Sequence, residues 1–307
     1  MIRQEIDGTG LRGRGNHVLT HRGCAAATIL AATLLFSFVP AAPASAQLNA
    51  LDDAIVEEAW ATVQVAPGVR WRSHQFDNLL GLPQFVSLLE VDLDGDRIRV
   101  DVVRPDSGRA LTSELAERSR AVAAVNGSYF EMDGTASLFF QDDGVVLRAD
   151  DDGNARIWED GAVATELDGD ATIVRRGQPA WHALAAFADV LVSGPLLVWD
   201  GEIHESTEVG FNLTHHPRTA AGVTSDNRLL LVTVDGRSPQ SAGLTVPELA
   251  LLMQALGCET ALNLDGGGST TMWVQGDGVV NHPSDNGAFD AAGERAVANA
   301  VVVVVNR

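Results

Sequence analysis

In this chain of 307 residues the strongest chemical signal is the run ALNLDGGGSTTMWV, where an apolar stretch delivers Asp265 into Gly266, Gly267 and Gly268. Ser269, Thr270 and Thr271 follow at once. Consecutive glycines bend freely and leave their amides uncovered, and such amides converge on an anion as a nest. The hydroxyls add donors, and a carboxylate at a strand end can be held at the rim of a pocket. An ordinary tight turn needs one or two glycines, so three between an aspartate and a serine point to a site. Four other segments run from an apolar strand straight into a polar, glycine-containing turn: NGSYF at 126–130, SGP at 193–195, HPRTAAG at 216–222 and VDGR at 234–237. Strand-end loops on a rigid sheet are where sites are built. Taken singly, Asn126-Gly127 or Asp235-Gly236 is more often only a turn.

The elements that must position these turns are mostly strands. Residues 85–91 and 98–103 are β-rich and flank the cluster 92–96, which reads as a hairpin turn. Its three aspartates lack the rest of a calcium-binding loop and read as a solvated turn. Residues 112–120 predict a helix and 121–125 a short buried strand. Between 141 and 177 acidic turns alternate with β-like pieces, a meander on the domain's flank. Residues 191–192 and 196–199 bracket the Ser193-Gly194-Pro195 break, and 228–234 is a strand leading into Asp235. The clearest helix starts at Thr245, where Glu248 completes a capping box and Pro247 sits in the first turn. Leu249, Leu252, Met253 and Leu256 share one face, and Gly257 ends it. Residues 261–264 predict a buried strand, 270–274 with 279–280 a hairpin, and 297–305 a fully buried closing strand. Many short strands with few helices predict an α+β domain on a mixed, largely antiparallel sheet with a few packed helices. A doubly wound sheet would need a helix after most strands.

Residues 1–46 read as an address: Arg3, Arg12, Arg14 and Arg22 precede an apolar core at 25–39, and Ala44-Ser45-Ala46 supplies a cleavage pattern. The expectation is a cleaved signal peptide, export to the periplasm or beyond, and no stable membrane insertion afterwards. Residues 52–60 are a weak helix candidate and 66–81 lack clean periodicity, so 47–80 is expected as a lead-in and 81–307 as the catalytic domain. Without the leader's four arginines, one glutamate and one aspartate, 17 basic and 39 acidic residues remain, a balance of −22. Nucleic acid is a poor partner for such a surface. The chain has no lysine, so every basic side chain other than histidine is an arginine fork. After cleavage Cys258 is the only thiol, which leaves no internal disulfide.

NGSYF, SGPLL with a following DG, HPRTAAG, TVDGR, NLDGGGSTTM, VVNHPSD and ERAVANAV occur here in an order that resembles the phosphodiester glycosidase domain family. The likeness covers most of 85–307 and omits 47–80; unlike the animal members, this chain lacks their disulfides and membrane tail. The resemblance implies a hydrolase of the bacterial envelope type that cuts a sugar from a sugar-1-phosphodiester, with a phosphosugar or cell-envelope glycopolymer as its partner.

On that chemistry, Asp265 is the carboxylate that attacks the sugar carbon or activates water. Asp235 is a second carboxylate or orients Arg218. Arg218, Arg237 and Arg295 are candidates for bidentate phosphate contacts, with Arg218 foremost; Arg295 reads equally as a structural ion pair before a core strand. Asn126 and Tyr129 are expected to hold sugar hydroxyls or the amide, and Ser193 and Gly194 to contact the substrate. The Gly266, Gly267 and Gly268 amides with Ser269 are expected to stabilise the departing charge, and Thr270 to contact the substrate. His216 is an acid or a packed turn residue. No cofactor is expected. Two other readings stand beside this one: a divalent metal on Asp265, Asp235 and His216 that directs water to phosphorus, and a non-catalytic phosphosugar binder. A serine hydrolase built on Ser269 fails because the glycine-flanked nucleophile elbow is missing.

Overall fold

Successive side chains of a strand point to opposite faces, and the run Arg228–Val234 shows what that requires of the fold. Leu229 and Leu231 enter one apolar core, whereas Leu230, Val232 and Val234 enter another on the reverse face. A strand that is apolar throughout must be covered on both sides, and most long strands here are. The structure, a computed structural model, describes residues 58–95, 97–149, 160–176, 181–184, 186–204 and 210–306, with Leu51 and Ile55. The leader 1–46 and most of the helix candidate at 52–60 lie outside the described residues. All described residues belong to one compact unit, 42–307.

Three sheets form, and every pairing in them is antiparallel. The largest has eight strands in the order Ala61–Ala66, Val69–Leu79, Leu82–Asp92, Arg228–Val234, Arg218–Thr224, Cys258–Asn263, Leu196–Trp199 and Glu202–Ile203. A five-stranded sheet runs Gly278–Val279, Met272–Val274, Ala123–Asn126, Ala300–Val305 and Ile98–Val103. A second runs Val145–Arg148, Phe140–Asp142, Asp189–Ser193, Gly161–Thr165 and Ala171–Arg175. Their inner faces meet in one core that joins Leu89, Leu231 and Leu262 to Val125, Val301 and Met272 and to Val163 and Leu191. The helix Val246–Ala255 covers the outer face of the large sheet with Leu249, Leu252 and Met253, and Cys258 is buried there with its thiol pushed up to about 12 by burial. The helix Thr112–Arg118 covers the first five-stranded sheet through Leu115 and Ala116.

The capping box holds as expected: the Glu248 amide donates to Thr245 Oγ1 at 3.3 Å, and the Thr245 amide donates to Glu248 Oε2 at 2.8 Å. Several expectations are corrected. Residues 85–91 and 98–103 are not a hairpin; the chain passes from the large sheet to the edge of a five-stranded one, and Val91 and Val100 enter the same core from different sheets. The lead-in 47–80 carries two strands, and Val69, Ser73, Phe76 and Leu79 of the second are buried as it pairs with Leu82–Asp92. The flank expected as a meander has Asp189–Ser193 inserted at its centre. HPRTAAG is not a turn: Arg218–Thr224 is a strand buried between two others.

Antiparallel pairing explains how distant segments converge, since one strand's end lies beside its neighbour's start. Arg218 pairs with Val234 and Ala220 with Asn263, which places the starts and ends of three strands at one edge of the large sheet. In the adjoining sheet Asn126 pairs with Ala300 and Val125 with Met272 at the matching edge. The Asp265 amide donates to the Gly127 carbonyl at 3.0 Å and so ties the two edges together.

Candidate active site

Asp265 leaves the strand Cys258–Asn263 at this junction and is half-buried. Asn126, fully buried, fixes its backbone: Nδ2 donates to the Asp265 carbonyl at 2.6 Å, while Oδ1 accepts from Thr219 Oγ1 at 2.7 Å and from the Thr271 amide at 3.1 Å. Burial pushes the Asp265 carboxyl up to about 6, against the opposing pull of the Ser269 hydroxyl, the Gly266 amide and the Arg295 charge. The Ser269 hydroxyl faces that carboxylate without reaching hydrogen-bond geometry.

Each of the three glycines answers to a different neighbour. A Cβ on Gly266 would lie 2.7 Å from the Pro217 carbonyl oxygen. Gly267 takes φ +63°, and a Cβ there would lie 2.8 Å from the Arg237 guanidinium. At Gly268 a Cβ would collide with the bound pair Asp285 and Arg295. The turn is therefore bare so that two arginines can lie against it. The expected amide nest is largely closed: the Gly267 amide donates to Pro217 O at 2.8 Å, and the Ser269 and Thr270 amides donate to Gly266 O and Gly267 O at 3.3 Å.

The arginines differ sharply. Arg218 is 1% exposed, and its Nε donates to Leu244 O at 2.8 Å while one terminal nitrogen donates to Phe211 O and Thr214 O at 2.9 Å. Its charge is thus engaged with carbonyls, and burial lowers its pKa to about 10. Because it begins a buried strand, it fastens the 211–214 loop and packs its stem near Gly266. Arg295 makes a bidentate pair with Asp285 at 2.6 Å for both bonds. Arg237 stays exposed, with only long contacts of 3.4 Å to Ser284 Oγ and His216 Nδ1. His216 stacks on Phe211 at 4.3 Å and takes a 2.9 Å contact with Thr214 Oγ1.

Asp235 does not orient Arg218. It is 1% exposed and holds His282: Oδ2 lies 2.7 Å from His282 Nδ1 and accepts the His282 amide at 3.0 Å, while Oδ1 accepts from Asn281 Nδ2 at 2.9 Å. His282 stacks on Phe289 at 3.7 Å and meets Phe85 edge-on at 4.7 Å. On the other side of the junction Tyr129 OH donates to Gly194 O at 2.6 Å, and Asn263 Nδ2 donates to both, at 2.8 and 2.9 Å. Asn263 Oδ1, Ser193 Oγ, Thr270 Oγ1 and Thr271 Oγ1 are buried oxygens without a protein partner here. Among the described residues no three His, Cys, Asp or Glu side chains gather as a metal site.

Of the residues singled out in the sequence, the structure brings Asp265, Asp235 and Arg237 to one end of the large sheet. His282 and Asn263, not singled out there, lie at the same end. Asn263 sits inside an apolar strand, where a lone polar residue was the available signal; His282 lay within a quoted motif, and its Asp partner 47 positions away left no trace in spacing.

A carboxylate whose proton is held to about pH 6, set beside an uncommitted cation at a sheet edge, is the equipment of a hydrolase for an anionic substrate. The phosphodiester glycosidase profile matches residues 119–304, more than half of the chain and all of these groups. The chain belongs to the phosphodiester glycosidase family. It is similar to the SPbeta prophage-derived uncharacterized protein YomE of Bacillus subtilis, 32% identical over 191 residues, 58% of this chain and 28% of that protein. It is also similar to N-acetylglucosamine-1-phosphodiester alpha-N-acetylglucosaminidase of Bos taurus, 29% identical over 189 residues, 58% of this chain and 36% of that enzyme. The matches therefore span about a third of those relatives' length. The catalytic domain of zebrafish N-acetylglucosamine-1-phosphodiester alpha-N-acetylglucosaminidase, auto-inhibited by its pro-peptide, shares the fold with a TM-score of 0.59 at 21% identity, covering 81% of this chain and 87% of that one. A hypothetical protein from Synechocystis does so at 0.62 and 16% identity, covering 81% and 64%.

Proposed function

We propose that this chain is an exported hydrolase that releases the sugar from a sugar-1-phosphodiester of an envelope or exopolysaccharide polymer. The single observation that carries the proposal is the Asp265 turn, a carboxyl pushed up to about 6 in a glycine bend against which Arg237 lies. Asp265 attacks the sugar carbon or activates the water that does so. Arg237 replaces Arg218 as the phosphate ligand in this reading, because its guanidinium is exposed and held only by 3.4 Å contacts. A guanidinium at that place gives charge-assisted bonds to the phosphate oxygens. The basic leader and its apolar core support export.

The test is hydrolysis in oxygen-18 water. Label in the sugar hemiacetal is the expected result, and label in phosphate means attack at phosphorus and overturns the proposal. Asp265→Asn is expected to lower turnover at least about 1000-fold with substrate binding retained. A parent protein that binds phosphosugars and turns none over would be a binder instead.

A further inference from the structure

The pair of Asp235 and His282 has no part in the reading above, and its geometry is that of a proton carrier. Both Asp235 oxygens receive donors, one from Asn281 Nδ2 at 2.9 Å and the other from the His282 amide at 3.0 Å, inside a site 1% exposed. With both Asp235 oxygens already accepting, the 2.7 Å contact is read as His282 Nδ1–H donating to Oδ2. The tautomer is thereby fixed, and Nε2 is left as the working nitrogen. The ring cannot swing away: Phe289 lies flat on it at 3.7 Å and Phe85 closes from the edge at 4.7 Å. Its side chain is 25% exposed, so the ring reaches solvent while its anchor does not.

The pair is tied to the Asp265 turn from two directions. Asn281 Nδ2 also donates to the Thr270 carbonyl at 3.2 Å, and the Met272 amide donates to Asn281 Oδ1 at 2.8 Å. Arg237, whose guanidinium lies against Gly267, reaches Ser284 Oγ at 3.4 Å, two residues beyond His282. A phosphate held by Arg237 lies at this same strand-end edge.

We infer that His282, held by Asp235, is the general acid and base of the reaction, a role that rests on the glycosidase reading above. In the first step an Asp265 oxygen bonds to the sugar carbon and the carbon–oxygen bond to phosphate breaks. The electron pair goes to that phosphate oxygen, which takes the Nε2 proton. In the second step the neutral Nε2 takes a proton from water as its oxygen displaces Asp265, which regenerates both groups and releases the free sugar.

The experiment compares two substrates in single turnovers with the enzyme in excess, which isolates the first step. The phosphate leaving from a glycosyl-1-phosphodiester binds its second proton at about pH 6, so a proton donor assists its departure; the matching glycosyl fluoride departs without a proton. For His282→Gln the expected result is a loss of about 100- to 10,000-fold on the diester, with fluoride release kept within about fivefold. Equal losses on both substrates mean that His282 only shapes the pocket, and no loss on either means that it is a bystander; each overturns the inference. As a check on folding, His282→Ala should recover diester cleavage when imidazole is added, which a misfolded variant cannot do. A parent that cleaves the fluoride but not the diester keeps the carboxylate and sinks the phosphodiester reading; one that releases sugar from neither sinks both.

Discussion

Two imidazole–aromatic stacks flank the glycine turn, and what lies behind each ring sets them apart. His282 on Phe289 has the buried Asp235 carboxylate at 2.7 Å. His216 on Phe211 has the Thr214 hydroxyl on one nitrogen and the Arg237 guanidinium on the other. Partial burial, and then the charges of Arg218 and Arg237, push the His216 pKa down. One ring is backed by an anion and the other is hemmed by cations. In the reaction proposed above the former is fitted to carry a proton and the latter to stay neutral. Both histidines precede a proline in sequence, His216-Pro217 and His282-Pro283. Residue type and local pattern therefore say nothing about which is which; the partner contributed by a remote strand end decides.

The largest expected effect comes from removing the anion. Asp235→Ala leaves the His282 ring, its amide and Asn281 without their acceptor and should lower stability by about 2–4 kcal/mol, read by chemical denaturation, with kcat falling at least as far as in His282→Gln. A stability unchanged to within a few tenths would show that the two stacks are held alike. Next, Arg237→Gln removes the cation on the other side; KM for the diester should rise about 10- to 100-fold with kcat changed far less. A fall confined to kcat would move Arg237 out of the binding role.

Asp265 gives a prediction with a definite sign. Its folded pKa is raised by burial to about 6, so the group stabilises the fold only in acid, and that contribution is lost as pH rises towards and through 6. Asp265→Asn should therefore melt higher than the parent above pH 6, by about 1–2 kcal/mol of stability, although it is inactive. Parent kcat/KM should show an acid limb near 6 as the carboxylate forms. Arg295→Gln should move that limb upward, since the Arg295 charge holds the carboxyl down. The smallest effect is reserved for His216→Gln, expected within about threefold of the parent in kcat; a loss equal to that of His282→Gln would abolish the distinction between the two stacks.

Much of this was legible beforehand. The capping box at Thr245, the strand 228–234, the buried closing strand and the Asp265 turn follow from periodicity and glycine placement, which are local. What escaped depends on partners far away in the chain. HPRTAAG looked like a turn because His, Pro and Gly punctuate it, yet Thr219, Ala220 and Ala221 are small enough to pass between two strands. Arg218 was expected to meet phosphate because a guanidinium inside a motif can make bidentate contacts; in the structure it satisfies carbonyls of a loop that sequence had not placed near it. Asn126 pins the Asp265 carbonyl from 139 positions away, a partnership that nothing in its local sequence announces. The hairpin reading of 85–103 failed because a turn cluster does not say whether the chain returns to its own sheet or crosses to another.

The three glycines leave a mark on how this pocket can change over generations. A methyl at Gly266 meets a backbone carbonyl, at Gly267 an arginine, and at Gly268 an ion pair, so that floor is closed to trial and error. Leu213, in the loop that Arg218 fastens, is 47% exposed and answers to no such constraint. Change in descendants of this chain should accumulate in that loop while the glycine turn stays the same.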